Sequence, residues 1–147
     1  MDAMAYCMGL FDGEGCITVS VSDKGNGSFS YGLRVSVQMN SETPIRFLHT
    51  TLGGSVYERR AGVWVWQLGS QASRPFLLYA AEHSLVKKRQ AEIALLLSAE
   101  MGRYLSGESR KGINLHKGER AIDHPTRMNL VRALRSLNGA RQRYTVT

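Results

Sequence analysis

The sequence predicts an α+β domain in the order αββαββα: a four-stranded antiparallel sheet with helices on one face, then a C-terminal helical extension. Three observations predict it. Apolar and polar residues alternate along residues 17–22 and 29–40, which is the period of half-buried strands, and residues 55–69 read as a second hairpin. Helix-length apolar stretches follow each hairpin, with cap residues before them and glycines after them. The chain has 147 residues, 43% of them hydrophobic, which is enough to bury one core.

The elements follow in order. An apolar, helix-like start runs through Cys7 to Phe11 and then into Asp12-Gly13-Glu14-Gly15. Helix C-termini carry partial negative charge and favour cations. These two acids sit at the wrong end of a helix, so they form an exposed turn or lie beside something positive. Residues 17–22 form a strand with Ile17, Val19 and Val21 on one face, and the turn-rich "DKGNGS" leads to a second strand. There Phe29, Tyr31, Leu33, Val35, Val37 and Met39 face one way, and Ser30, Gly32, Arg34, Ser36, Gln38 and Asn40 the other. Asn40 or Ser41 caps a helix from about Glu42 that ends at Gly53-Gly54. The stretch "SVYERRAGVWVWQLG" forms a second hairpin turning near Ala61-Gly62, with Trp64, Trp66 and Leu68 toward the core and Val65 and Gln67 opposite. Ser70 or Ser73 opens a helix to about Glu82, and another runs from about Val86 to Tyr104. A polar connector then leads to a helix over residues 126–137, with Met128, Leu130, Val131, Leu134 and Leu137 inside and Arg127, Arg132 and Arg135 outside. Residues 1–105 are expected to form the core; residues 106–147 are a basic connector and helix, either in the same domain or an appended arm.

Charge narrows the function. The net charge is +7, yet residues 1–100 hold nine Lys/Arg and nine Asp/Glu, while residues 101–147 hold ten against three. A basic segment on a neutral body suits a polyanion, most often nucleic acid. No apolar run approaches the roughly 20 residues of a membrane span. No basic stretch followed by an apolar one marks a secretion signal, so an intracellular protein of the cytoplasm or nucleoid is expected, with no membrane partner. Cys7 and Cys16 read as buried thiols in a reducing compartment. Neither they nor His49, His83, His116 and His124 have the spacing of a zinc site. The polar face of the first hairpin is equally consistent with solvation and with reading base edges, since Gln and Asn suit adenine, Arg suits guanine and Ser suits either.

The stretch "CMGLFDGEG" resembles the LAGLIDADG motif of homing endonucleases, and its single copy in a short chain resembles the homodimeric branch. "LRVSVQMNSE", "LGGSVYERR" and "LVKKRQAEIALLL" support the resemblance, which covers about residues 4–100; the spacing of the last two is close to short intron- or phage-borne members. Cys7 and Met8 stand where the motif has Leu-Ala, Gly13 replaces its second Ala, and Glu14 its last Asp.

The resemblance implies a LAGLIDADG fold with a saddle-shaped sheet and a homodimer in which two motif helices pack side by side. Gly9 and Gly13, four apart on one helix face, would permit close approach, with Asp12 at the same interface. Glu14, with Gly13, would hold Mg²⁺ (or Mn²⁺), because paired carboxylates need a cation between them and hard oxygen ligands suit it. Lys87 would polarise the attacking water or the scissile phosphate, and Asn40, or Gln38 or Ser41 in its place, would orient water. Thr18, Ser20, Ser22, Lys24, Ser30, Arg34, Ser36, Gln38, Tyr57, Arg59 and Gln67 are the expected contacts to double-stranded DNA. The implied function is a site-specific homing endonuclease that hydrolyses both strands of a long pseudo-palindromic site with a divalent metal. The alternative is an RNA-binding maturase or a catalytically inactive DNA-binding protein on the same fold.

Overall fold

A computed structural model of the chain describes residues 1–25, 27, 29–105 and 125–138, with residues 100–105 by backbone alone. Helix α1 (Ala3–Glu14) begins at Asp2, whose carboxylate accepts from the N–H groups of Met4 and Ala5 at 3.0 and 3.2 Å. It runs directly into strand β1 (Gly15–Asp23). That junction requires glycine: a Cβ on Gly15 would stand 2.6 Å from the Phe11 carbonyl oxygen. Asp23 closes the turn by accepting from Gly25 N at 2.8 Å, and β2 (Phe29–Met39) returns. Helix α2 (Glu42–Leu52) stops at Gly53 and Gly54, whose φ values of 75° and 85° are costly for any side chain. Strands β3 (Ser55–Arg60) and β4 (Val63–Leu68) form the second hairpin, and α3 (Ser73–His83) and α4 (Lys88–Leu105) follow. A further helix, α5, covers residues 125–138.

The sheet is antiparallel in the order β1-β2-β4-β3, which joins the two hairpins through β2 and β4. Its register puts Ile17 opposite Val35 and Val37 opposite Trp66, so one face is continuously apolar. Helices cover that face. Phe11 and Trp66 both pack edge-on against Phe76, at 4.9 and 5.9 Å, and the Trp66 indole donates to the Gly53 carbonyl at 2.8 Å. Ser70 does not open a helix. Its hydroxyl exchanges hydrogen bonds with the N–H and C=O of Leu33 at 3.0 and 3.2 Å, satisfying β2 just beyond the residues paired with β4. Ser41 holds the position before α2 but makes no capping bond.

Two sequence expectations are corrected here. Arg127 does not point outward, whereas Arg135 is exposed as expected and still bonds to the body. Residues 127, 131, 134 and 138 recur at helical spacing on the face that α5 turns to the body, where Val131 and Leu134 are fully buried. Arg127, 5% exposed, lies with its guanidinium 5.3 Å from the Tyr31 ring centre. Burial pushes the Tyr31 phenol above its ordinary pKa, and the Arg127 charge draws it partly back. Arg135 donates to the Val19 carbonyl at 3.2 Å and Asn138 to that of Ile17 at 2.8 Å, so α5 runs along the edge strand β1. An edge strand needs such donors, a demand that helix periodicity alone does not reveal. The second correction is Cys16: only Cys7 is fully buried, and Cys16, opposite Ser36, belongs to the polar face.

Candidate functional site

The acids at the end of α1 have different surroundings. Asp12 is half-buried and used inside the chain: one carboxylate oxygen accepts from the Ser84 hydroxyl in a short hydrogen bond, the other from Leu85 N at 2.9 Å. The Ser84 hydroxyl in turn accepts from Lys87 N at 2.7 Å. Lys87 immediately precedes α4, with its carbonyl accepting from Ala91 N at 2.9 Å, and its side chain turns back to donate to the Asp12 carbonyl at 2.7 Å. The lysine is 2% exposed, and its ammonium lies 5.4 Å from the Phe11 ring centre.

Thus the helix end that lacks a cation in its own sequence receives one from seventy-five residues away. Three cations at the start of a helix are unfavourable on charge alone, but the first of them serves the C-terminus of α1. Glu14, two residues further on, is exposed, as are Gly9 and Gly13, and a Cβ added at either glycine meets nothing within 4 Å.

Ser84 holds this cluster together. Ser84→Ala would remove a donor to Asp12 and an acceptor for Lys87 N, and unsatisfied buried groups cost about 1–3 kcal/mol each. We expect a urea midpoint lowered by that order with unchanged slope; an unchanged midpoint would show that Ser84 does not hold the turn.

Among the described residues no group of three His, Cys, Asp or Glu side chains could hold a metal. One chain offers Glu14 as an exposed carboxylate, a hard oxygen donor that fits magnesium or manganese rather than zinc, but it is not a complete coordination sphere.

The sheet's polar face lies beyond this cluster. Thr18, Ser20, Ser22, Lys24, Ser30, Arg34, Gln38, Tyr57 and Arg59 are exposed on or beside it, and Ser36 and Gln67 are half-buried. Register pairs Thr18 with Arg34, Ser36 with Gln67, and Gln67 with Ser55. A groove of about 430 Å³ runs between them, lined by Thr18, Ser20, Arg34, Ser55, Gln67 and Ser70. Sequence reasoning misses Ser55 and Ser70 as lining residues. Ser55 is readable, because it precedes Tyr57 by one strand period; Ser70 lies outside any strand and carries no such signal. Arg59 reaches Gln38, its Nη1 donating to Oε1 at 3.0 Å. Asn40 is exposed in the bend after β2, and Ser41 beside it is exposed too.

The backbone is similar to that of an archaeal intron-encoded homing endonuclease complexed with DNA, with a TM-score of 0.68 at 18% identity over 91% of this chain and 82% of that one. It is also similar to the homing endonuclease I-CvuI, in complex with a DNA target, with a TM-score of 0.62 at 15% identity over 92% of this chain and 94% of that one. The LAGLIDADG homing endonuclease I-GzeII, also in complex with its DNA target, superposes with a TM-score of 0.67 at 10% identity over 87% of this chain and 43% of that one. The fold is that of the LAGLIDADG homing endonucleases. No protein-family model and no curated protein sequence matches the chain. The LAGLIDADG fold therefore persists here with little of the sequence of these neighbours. Asp12 and Glu14 lie at the C-terminal end of α1, and the Lys87 ammonium reaches the Asp12 carbonyl there.

Proposed function

We propose that the chain is a homodimeric, site-specific DNA endonuclease that hydrolyses both strands of a long, nearly palindromic duplex with a divalent metal, Mg²⁺ or Mn²⁺. One observation carries the reading: an exposed carboxylate, Glu14, and a buried ammonium, Lys87, share the end of α1 from which the polar sheet face begins. The DNA complexes among the structural neighbours support the substrate. This chain matches 94% of the length of I-CvuI and 43% of that of I-GzeII. The open faces of Gly9 and Gly13 allow two α1 helices to approach closely.

In this reading Glu14 from each copy, with the Gly13 backbone, would hold the metal. The metal, when bound, supplies Lewis acidity and lowers the pKa of water. Asp12 keeps the α3–α4 turn against α1 rather than contributing a ligand. Lys87 is a fixed positive charge beside the phosphate site, favouring the charge that develops on phosphorus oxygens. Asn40 orients water at the strand exit. Thr18, Ser20, Ser22, Lys24, Ser30, Arg34, Ser36, Gln38, Tyr57, Arg59 and Gln67 contact base edges or backbone in the major groove. The chain acts inside the cell, where its substrate is.

The test is incubation with a library of inverted-repeat duplexes, with and without magnesium, beside light scattering of the free protein. Magnesium-dependent double-strand cuts in a selected sequence, made by a dimer, are expected. Selective binding with no cleavage in magnesium or manganese would leave a DNA-binding module instead, and selection of single-stranded RNA over any duplex would favour a maturase.

A further inference from the structure

The Gln38–Arg59 pair bears on which base this face would read, an inference that rests on the DNA-reading role proposed above. Gln38 lies on β2 and Arg59 on β3, and β4 runs between them. At about 4.8 Å per strand, the two side chains together must span about 10 Å over β4 to meet. Two observations indicate a built bridge. The register of β3 against β4 shifts between Glu58 and Arg60, and a bulge there re-aims the residue it contains. Val65 lies beneath. By register it shares the polar face with Gln38 and Tyr57, yet it is only 4% exposed and stands apart from the main core, as expected under an arm crossing its strand.

The hydrogen bond changes what Gln38 offers. A free glutamine pairs with adenine by accepting from N6 and donating to N7. Here Oε1 accepts from Arg59 Nη1 at 3.0 Å, so the amide presents its Nε2 donors. The second lone pair of Oε1 lies beside a guanidinium, whose charge repels the amino group of adenine. The rest of the arginine fork also only donates. The pair is therefore a surface of donors with a positive charge, and the base edge that answers it is guanine, with acceptors at both O6 and N7.

We propose that Gln38 and Arg59 act as one reader that specifies guanine at a single position of each half-site, and that Arg59 prevents Gln38 from reading adenine. The experiment selects bound duplexes from an inverted-repeat library with randomised half-sites, using calcium in place of magnesium, for wild type, Arg59→Met and Gln38→Met. Wild type should prefer guanine at one position by about 5- to 150-fold. Arg59→Met, which keeps an aliphatic cover over Val65, should pass the preference at that position to adenine. Gln38→Met should keep guanine there at reduced preference, through Arg59 alone. Melting curves accompany each variant, and Arg59→Lys, which retains charge without the fork, replaces Arg59→Met if the latter unfolds; weaker guanine preference at the same position is then expected. The proposal is overturned if the two substitutions alter different positions, if wild type prefers another base there, or if Arg59→Met leaves guanine preferred. A wild type that selects no sequence at all would instead overturn the DNA-reading role itself.

Discussion

Glu14→Gln is expected to abolish cleavage while leaving DNA affinity nearly unchanged. The substitution keeps side-chain volume and removes the charge needed to hold a divalent cation. Glu14 is exposed and has no hydrogen bond that the fold depends on in the way that Asp12 does. The melting temperature should therefore stay within about a degree or two of wild type, since exposed substitutions away from special features usually cost less than about 0.5 kcal/mol. Cleavage should fall by at least about 100-fold, the upper range for losing even an outer partner of a metal site. A plasmid-nicking assay beside a gel-shift titration separates the two effects. If Glu14→Gln cuts at the wild-type rate in magnesium, the carboxylate is not a ligand. The matching change at Asp12 should behave oppositely: Asp12→Asn would disturb stability through Ser84 and Leu85 even where no DNA is present.

Removing the chain after Ser106 should unfold or severely destabilise the protein. Charge alone makes residues 101–147 look like an arm that grips flanking DNA. The packing of α5 gives another expectation. Val131 and Leu134 are fully buried, and burying such side chains contributes about 1.5–3 kcal/mol each. Their loss, with the Arg127 stack on Tyr31 and the bonds to Ile17 and Val19, is comparable with the roughly 5–15 kcal/mol that stabilises a whole domain. Leu134→Ala samples the same effect in one residue, at about 2–5 kcal/mol in a denaturant melt. A truncated protein that melts like wild type would show that α5 is not needed by the body. To ask whether terminal charge binds DNA, the cut belongs after Asn138, which leaves α5 in place and removes Arg141 and Arg143. If both arginines neutralise phosphates, the salt dependence of binding then flattens by about 0.9 for each.

Much of this architecture is legible in the amino-acid sequence. Strict alternation locates β2 because a one-residue slip would reverse both of its faces. Gly53-Gly54 locates the end of α2 and Gly62 the second hairpin turn, because their backbone angles are costly for any side chain. Glu14 and Lys87 are singled out by the resemblance in separate stretches, and the structure brings Lys87 to the α1 end by a hydrogen bond that no local pattern encodes. What the sequence hides is non-local. Asp12 is expected from the resemblance at an interface with a second helix, yet its carboxylate accepts from Ser84 and Leu85, 72 and 73 residues away in the same chain. Arg127 looks solvated and Arg135 looks free of the body, because arginine is usually found outside. Their places are set by an aromatic ring and an exposed strand edge, neither of which helix periodicity registers. The outline of residues 106–124 expected from the sequence lies outside the described residues.

The two edges of the sheet are protected in different ways, and that difference has a consequence for synthesis. Strand β3 carries its own protection in Glu58, Arg59, Arg60 and a register shift, all present as soon as the strand is made. Strand β1 depends on Arg135 and Asn138, which follow their partners by 116 and 121 residues. At about 5–20 residues per second, a ribosome needs roughly 6–25 s to travel that distance. For that interval β1 is present with an open edge, and any neighbouring nascent chain from the same message carries the same open edge. Conditions that slow elongation lengthen this exposure, while β3 is indifferent to them.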